Sequence, residues 1–133
     1  LGDVYKRQYL YRDGKLAQLT HDHSYVQELV DCGTITQEQA EHHPQKNIIT
    51  RALGVDYRLE PECTIVKVQP GDLLLLCSDG LTGMAEDSRI AEVLANAATL
   101  ELAGDALLQL ALDGGGRDNI TVALFTLGKK QGA

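Results

Sequence analysis

The spacing of apolar residues differs from segment to segment of the chain, and it predicts the order of strands and helices. Gln8–Arg12 and Lys15–Thr20 predict two strands, joined by an Asp-Gly dipeptide that supplies the positive φ angles of a tight hairpin turn. Apolar and polar residues alternate over Thr64–Val68, which predicts another strand. Leu73–Cys77 is apolar at every position, which predicts a strand buried on both faces.

Other segments carry the signals of helices. Ser24, with Gln27 three residues later, predicts a helix over Tyr25–Cys32, and Thr36 with Gln39 predicts a second short helix that ends before Pro44. Two longer helices follow, the second capped by Thr99. Their predicted apolar faces are Ile90, Val93, Leu94 and Ala97 in one, and Leu102, Ala103, Ala106, Leu107, Leu110 and Ala111 in the other. Asn119–Leu127 predicts the last strand.

The predicted order is strand-strand, helix-helix, strand-strand, helix-helix, strand. Tight turns between strands favour antiparallel pairing, and amphipathic helix pairs need a sheet face to cover. The pattern therefore indicates an α+β layered domain. A chain of 133 residues is long enough for one such domain with a modest core.

The net charge and the lack of long apolar runs argue against two kinds of binding partner, nucleic acids and membranes. The net charge of −7 argues against a nucleic-acid or anionic-membrane surface, because both require basic patches. No apolar run approaches the length of a membrane span, and the first residues do not form a signal-peptide core. We therefore expect neither a nucleic-acid nor a membrane partner.

The three cysteines, Cys32, Cys63 and Cys77, favour a reducing compartment such as the cytoplasm. Their number is odd and no pair has CxxC spacing, so a disulfide framework or a zinc site is disfavoured. We expect Cys77 to be a small buried apolar residue. A phosphatase with a cysteine nucleophile needs an arginine six positions after that cysteine. Those positions hold Glu38, Gln69 and Gly83.

Asp79 and Asp118 are the candidate chemical groups of the chain. Asp79 follows the predicted strand over Leu73–Cys77, and Asp118 precedes the last one. If those strands are antiparallel neighbours, both carboxylates meet at one rim of the sheet, where oxygen ligands suit Mg²⁺ or Mn²⁺. Gly80 and the glycines at 114–116 would let the backbone approach closely there. The alternative is that Asp-Gly and Asp-Asn are ordinary turn and loop-capping dipeptides.

Two motifs make the chain resemble a known family. LLLLCSDGLTG and GGGRDNITVAL together are similar to late motifs of the metal-dependent protein phosphatases of type 2C in their bacterial form. The segments YLYRDGKLAQLTHDHSYVQELVDCGTITQEQAEHHPQKNIITRALG and VQPGDLLLLCSDGL resemble the middle of the same family. The resemblance covers Tyr9 to about Leu127. It implies the C-terminal part of a four-layer α-β-β-α sandwich of antiparallel sheets, with the N-terminal portion missing.

The resemblance also implies a chemistry. In this family two Mn²⁺ or Mg²⁺ ions activate a water that hydrolyses phosphoserine or phosphothreonine in proteins. Asp79 and Asp118 match metal ligands, and Asp79 can also face a weaker third ion in bacterial members. Gly80 and Asn119 match the neighbouring positions, and we expect them to support the ligands. Arg51 is a candidate for phosphopeptide contact, in a flap-like segment at residues 42–56.

Other family motifs do not occur in this sequence. An early Asp-Gly-His-Gly motif and the preceding phosphate-binding arginine have no counterpart. The aspartate that would support a third metal falls at Tyr5. We therefore expect residues 1–8 to be non-native, residues 9–127 to be the phosphatase portion and residues 128–133 to form a flexible tail. On this interpretation the chain alone is inactive.

Several alternatives stay open. A non-catalytic pseudophosphatase or phosphoprotein-binding module would use the same residues without hydrolysis, and a sigma-factor-regulating phosphatase would differ only in its substrate. We expect a monomer that acts on phosphoproteins and opposes a cognate serine/threonine kinase. His21 and His23 have the spacing of metal ligands, but local hydrogen bonds explain them better.

Overall fold

The structure is a computed structural model that describes residues 6–52, 54, 57–58, 60–116 and 119–128. The chain divides into two compact units, one formed by Leu1–Thr20 with Thr64–Ala133 and the other by His21–Cys63. The strands are β1 (Lys6–Arg12), β2 (Lys15–Gln18), β3 (Leu73–Ser78) and β4 (Val122–Thr126). The helices are α1 (Tyr25–Asp31), α2 (Gln37–Glu41), α3 (Asp79–Thr82), α4 (Asp87–Asn96) and α5 (Leu100–Asp113).

The first unit is built on a four-stranded sheet in the order β2-β1-β3-β4, and all of its neighbouring strands are antiparallel. β1 and β2 form the predicted hairpin. Asp13 and Gly14 have φ angles of 50° and 78°, as a tight turn between twisted strands requires. β3 is central, pairing with β1 on one side and β4 on the other. The predicted strand is confirmed, but its burial on both faces is not, because Leu74 and Leu76 are only half-buried.

One face of this sheet carries the core. Tyr9, Leu75 and Cys77 are buried on that face, against the helical residues Leu81, Ile90, Leu94, Ala103, Leu107 and Ala111. Alternation places Leu10, Leu74, Leu76, Ala123 and Phe125 on the opposite face, where they are half-buried or exposed. A sheet with helices on one face and an apolar second face is one half of a layered sandwich.

An ion pair fixes the chain before β3. The Arg12 guanidinium donates from Nε to Asp72 Oδ1 at 2.7 Å and from Nη2 to Asp72 Oδ2 at 2.6 Å. Gln69 N also donates to Asp72, at 2.7 Å, and Thr126 Oγ1 donates to the Asp72 carbonyl at 2.9 Å. The donors to the carboxylate lower the pKa of Asp72 to about 2, with Arg12 the largest cause and Gln69 N a smaller one. Asp72 therefore joins three parts of the chain. Its buried carboxylate binds Arg12 of β1 and the backbone of Gln69 in the turn before β3, and its carbonyl binds Thr126 of β4.

The second unit contains α1 and α2, and both begin where the sequence predicts. Ser24 accepts a hydrogen bond from Gln27 N, and Thr36 forms a complete capping box with Gln39. Each predicted helix ends within about one turn of its expected limit. Within the described part of residues 42–56, the regular feature is a bridge between Ser24 and Ile49.

Each of the two candidate histidines of this unit contacts one carboxylate; the local hydrogen bond expected for His21 is present, whereas the partner of His23 is distant in sequence. His21 Nε2 lies 2.9 Å from Asp31 Oδ2, and His23 Nε2 lies 3.2 Å from Glu62 Oε2. Among the residues that the structure describes, no three His, Cys, Asp or Glu side chains are grouped as they would be to hold a metal.

Two details of the sequence prediction are wrong. Thr64–Val68 is not a strand; its Ile65 is almost fully exposed, and the alternating pattern has no strand partner in the described residues. In α5 the buried face consists of Ala103, Leu107 and Ala111, while Leu102 and Ala106 are exposed. The predicted Leu110 does pack on the core, and so does Leu100, which the predicted stripe did not include.

Candidate metal-binding rim

The pairing of β3 with β4 sets the geometry of the candidate site. The strands are antiparallel neighbours, as the two-aspartate hypothesis required, and Cys77 lies opposite Val122 at the last pair of the ladder. One further backbone bond, from Ser78 N to the Thr121 carbonyl at 3.0 Å, extends the contact beyond that pair. The residues after β3 therefore lie beside the residues before β4. We refer to residues 78–80 and 119–121 as the rim.

Asp79 does not lie in a surface turn. It is the first residue of the short helix α3, it is half-buried, and Ser78 is the N-cap. The sequence prediction did not include this helix. Because the helix starts directly at the end of the central strand, the backbone at Asp79 is held by both elements, and its carbonyl accepts from Gly83 N at 2.7 Å.

Gly80 lies against the backbone of Asn119. A Cβ added at Gly80 would lie 2.3 Å from the Asn119 carbonyl oxygen, 2.9 Å from its carbon and 3.2 Å from Ile120 Cγ1. All three distances are shorter than an ordinary contact. The close approach that the sequence suggested for Gly80 is present in the structure. Gly80 is required here by space and not by a positive φ angle.

The Ser78 side chain connects the two parts of the rim. Its hydroxyl donates to the Asn119 carbonyl at 3.0 Å and accepts from Thr121 N at 3.0 Å. Ser78 is 3% exposed. Sequence reasoning assigned no role to Ser78. No local signal marks this role, because the partners of the hydroxyl lie 41 and 43 residues away in the sequence.

Cys77, the residue before the rim, does not offer a thiolate. Desolvation raises the pKa of its thiol to about 11; Arg7 acts in the opposite direction with a smaller effect, and Asp87 and Asp79 raise the pKa further. A thiol of this kind stays protonated at neutral pH. Cys77 is a buried apolar residue, as predicted, and packs on the core beside Tyr9 and Leu75.

The donor chemistry of the rim fits a hard cation. Asp79 offers a carboxylate at a rigid position, and its surroundings on the rim are hydroxyl and peptide oxygen rather than thiolate or imidazole. Asp118 lies outside the described residues, although the described Asn119 is its neighbour in sequence. Arg51 lies in the second unit and is exposed.

Comparison with known proteins places this geometry in a class. The chain is similar to the crystal structure of the Mycobacterium tuberculosis serine/threonine phosphatase PstP/Ppp, with a TM-score of 0.86 and 44% identity, over 97% of this chain and 53% of that one. It is also similar to the catalytic domain of PstP in complex with two manganese ions, with a TM-score of 0.76 and 43% identity, over 90% of this chain and 48% of that one. These matches define a serine/threonine phosphatase fold of the PP2C type.

Sequence comparison agrees with the structural one. The family described as Stage II sporulation protein E (SpoIIE) matches residues 15–127. The serine/threonine phosphatase stp of Listeria monocytogenes serotype 4b (strain F2365) is 47% identical over 118 residues, which are 89% of this chain and 47% of that protein. The chain belongs to the SpoIIE/PP2C-type family of serine/threonine phosphatases. It spans about half the length of the Listeria relative.

Within the described residues, no helix is long and apolar enough to cross a lipid bilayer.

Proposed function

We propose that this chain forms part of a metal-dependent protein serine/threonine phosphatase, with Asp79 and Asp118 as ligands of Mn²⁺ or Mg²⁺. The observation that supports this most is the β3–β4 register, which brings the start of α3 against Asn119. Family membership supplies the reaction: when bound, such ions lower the pKa of water and stabilise charge on a phosphoryl group.

In this proposal each residue of the rim has a different role. Asp79 offers its carboxylate from a helix start that the central strand fixes in place. Gly80 removes the side chain that would separate α3 from Asn119. Asn119 offers its carbonyl to Ser78, so that its backbone is held beside α3. We propose two ions in the complete domain, and a weaker third ion that Asp79 also faces.

The test uses the complete protein that contains this chain. Mn²⁺-dependent hydrolysis of p-nitrophenyl phosphate and of a phosphothreonine peptide is measured for Asp79→Asn and Asp118→Asn. We expect both variants to lose several orders of magnitude in rate, because a lost carboxylate weakens metal binding and water activation together. Asp105→Asn removes an exposed acid of α5 and is the matched control. Wild-type rates for Asp79→Asn would show that the metal assignment is wrong.

A pseudophosphatase or phosphoprotein-binding module is the second candidate, because it would use the same residues without hydrolysis. Binding of a phosphothreonine peptide to the chain, measured by calorimetry with and without Mn²⁺, separates the two functions. Metal-independent binding without hydrolysis, in the complete protein as well, would favour the binding module.

Arg51 is proposed to contact the phosphorylated substrate. Its exposure leaves the guanidinium accessible, and Arg binds phosphate oxygens with two donors. Arg51→Ala should then raise KM for a phosphothreonine peptide more than it lowers kcat. Arg58→Ala, which removes another exposed arginine of the same unit, is the control. An equal KM for the two variants would remove Arg51 from the proposal.

The remaining expectations extend the same proposal. The substrates are phosphoserine and phosphothreonine proteins, opposed to a serine/threonine kinase, and the protein acts as a monomer in the cytoplasm. Residues 1–8 are proposed to be non-native; the described part of them, Lys6–Gln8, pairs with β3 through its backbone. That pairing needs no particular side chains. An upstream genomic sequence that retains LGDVYKRQ in frame would remove this part of the proposal.

A further inference from the structure

Ser78 differs from the other hydroxyl N-caps of this chain. Ser24, Thr36 and Thr99 each accept a hydrogen bond from the third residue of the helix that they begin. Ser78 also begins a helix, but its side chain makes no bond to that helix. The hydroxyl is used instead across the rim, where it donates to the Asn119 carbonyl and accepts from Thr121 N.

We propose that Ser78 is a positioning residue for metal binding at Asp79. It is a single buried hydroxyl, bonded covalently to the Asp79 backbone and by hydrogen bonds to both ends of 119–121. The hydrogen bonds of Ser78 thus help to fix the distance between the segment before β4 and Asp79. This inference rests on the proposed function, because it assigns Ser78 a task at that same metal site.

Removal of the hydroxyl takes one hydrogen-bond partner from each of two backbone groups at the rim. The Asn119 carbonyl loses a donor and Thr121 N loses an acceptor, so the segment is expected to move to restore those bonds. A metal ligand set tolerates small displacements poorly. Loss of a residue that orients metal ligands costs on the order of 10- to 100-fold in metal affinity.

The chain also offers a matched control at the other end of the same strands. Thr126 Oγ1 donates to the Asp72 carbonyl at 2.9 Å, which likewise ties β4 to the chain next to β3. Thr126→Val deletes that hydroxyl with little change in shape. Ser78→Ala and Thr126→Val therefore both remove a hydroxyl that bridges the β3–β4 pair, but only one of them lies at the rim.

The experiment titrates the ¹⁵N-labelled complete protein that contains this chain with MnCl₂ and follows paramagnetic broadening of the Asp79, Gly80 and Asn119 amides. For Ser78→Ala we expect the Mn²⁺ concentration at half-broadening to rise about tenfold or more. Thr126→Val should stay within about twofold of wild type even if its melting temperature falls, and Ser78→Thr, which retains the hydroxyl, should restore the wild-type value. If Ser78→Ala does not give a dispersed spectrum, Ser78→Cys replaces it, since a thiol of similar size bonds weakly.

The outcomes separate this inference from the proposed function. If Asp79→Asn weakens the broadening but Ser78→Ala does not, the positioning role is wrong and the metal site stands. If Ser78→Ala and Thr126→Val shift the titration equally, the effect of Ser78 is general stability, and the positioning role is again wrong. If Asp79→Asn leaves the broadening unchanged, or wild type shows none at millimolar Mn²⁺, both the metal site and the role of Ser78 are overturned.

Discussion

Replacement of Gly80 by alanine tests the close packing of the rim. The new Cβ would lie 2.3 Å from the Asn119 carbonyl oxygen, whereas ordinary contacts begin at 3.4 Å. Backbone on one side must therefore shift by about 1 Å, because the opposing atom is a carbonyl and not the end of a flexible side chain. Overpacking of this size costs about 1–3 kcal/mol in the free energy of unfolding.

Gly104→Ala is the matched control for the same substitution. Gly104 lies inside α5, and a Cβ added there would meet no atom within 4 Å. Alanine is the better helix former by about 1 kcal/mol, so this variant should gain stability. The two Gly→Ala variants should then differ by about 2–4 kcal/mol, with opposite signs relative to wild type.

Urea denaturation of the chain, followed by circular dichroism, measures both free energies. Two-dimensional NMR adds a local readout, since Gly80→Ala should move the amide resonances of Asn119, Ile120 and Thr121, and Gly104→Ala should not. The reasoning fails if Gly80→Ala is as stable as wild type and the resonances of 119–121 stay in place. In that case α3 does not press against the segment before β4.

Three further predictions concern the core, the ion pair and a helix cap. Leu75→Ala removes a fully buried side chain from the central strand and should cost about 2–5 kcal/mol in a urea titration; a loss below 1 kcal/mol would contradict the packing described for Leu75. The lowered pKa of Asp72 stabilises the fold above pH 3.8, and this contribution disappears as the pH falls through about 2. The difference in melting temperature between wild type and Asp72→Asn should therefore narrow from pH 5 to pH 2. A difference that stays constant would show that the ion pair with Arg12 is not what makes wild type more stable than the variant. Thr99→Ala removes the hydroxyl that accepts from Leu102 N and should cost about 0.5–2 kcal/mol, whereas Thr99→Ser should stay near wild type.

Local chemistry explains which elements the sequence predicted. The hairpin depends on the Asp-Gly turn, whose residues adopt the required positive φ angles. The short helices depend on caps at Ser24 and Thr36, and each cap involves atoms only three residues apart. Such signals act within one turn of the chain, so they can be recognised without knowledge of the fold.

Predictions that depended on a distant partner were less secure. Thr64–Val68 has the alternation of a strand, but alternation does not supply the neighbouring strand that hydrogen bonds require. The predicted buried face of α5 differs from the observed one because more than one face of this helix is apolar. Packing against the rest of the core determines which of these faces is buried. Helix α3 was missed because it has four residues and no side-chain cap.

The candidate site shows the same division. By itself the sequence placed an aspartate at the end of a buried strand, and the family motifs suggested its chemistry. Only the tertiary structure decided that β3 and β4 are antiparallel neighbours and that Gly80 lies against Asn119. It also decided that Ser78 bonds across the rim rather than to its own helix. These facts join residues about forty positions apart, and such distances are fixed by strand pairing and packing, which no local pattern encodes.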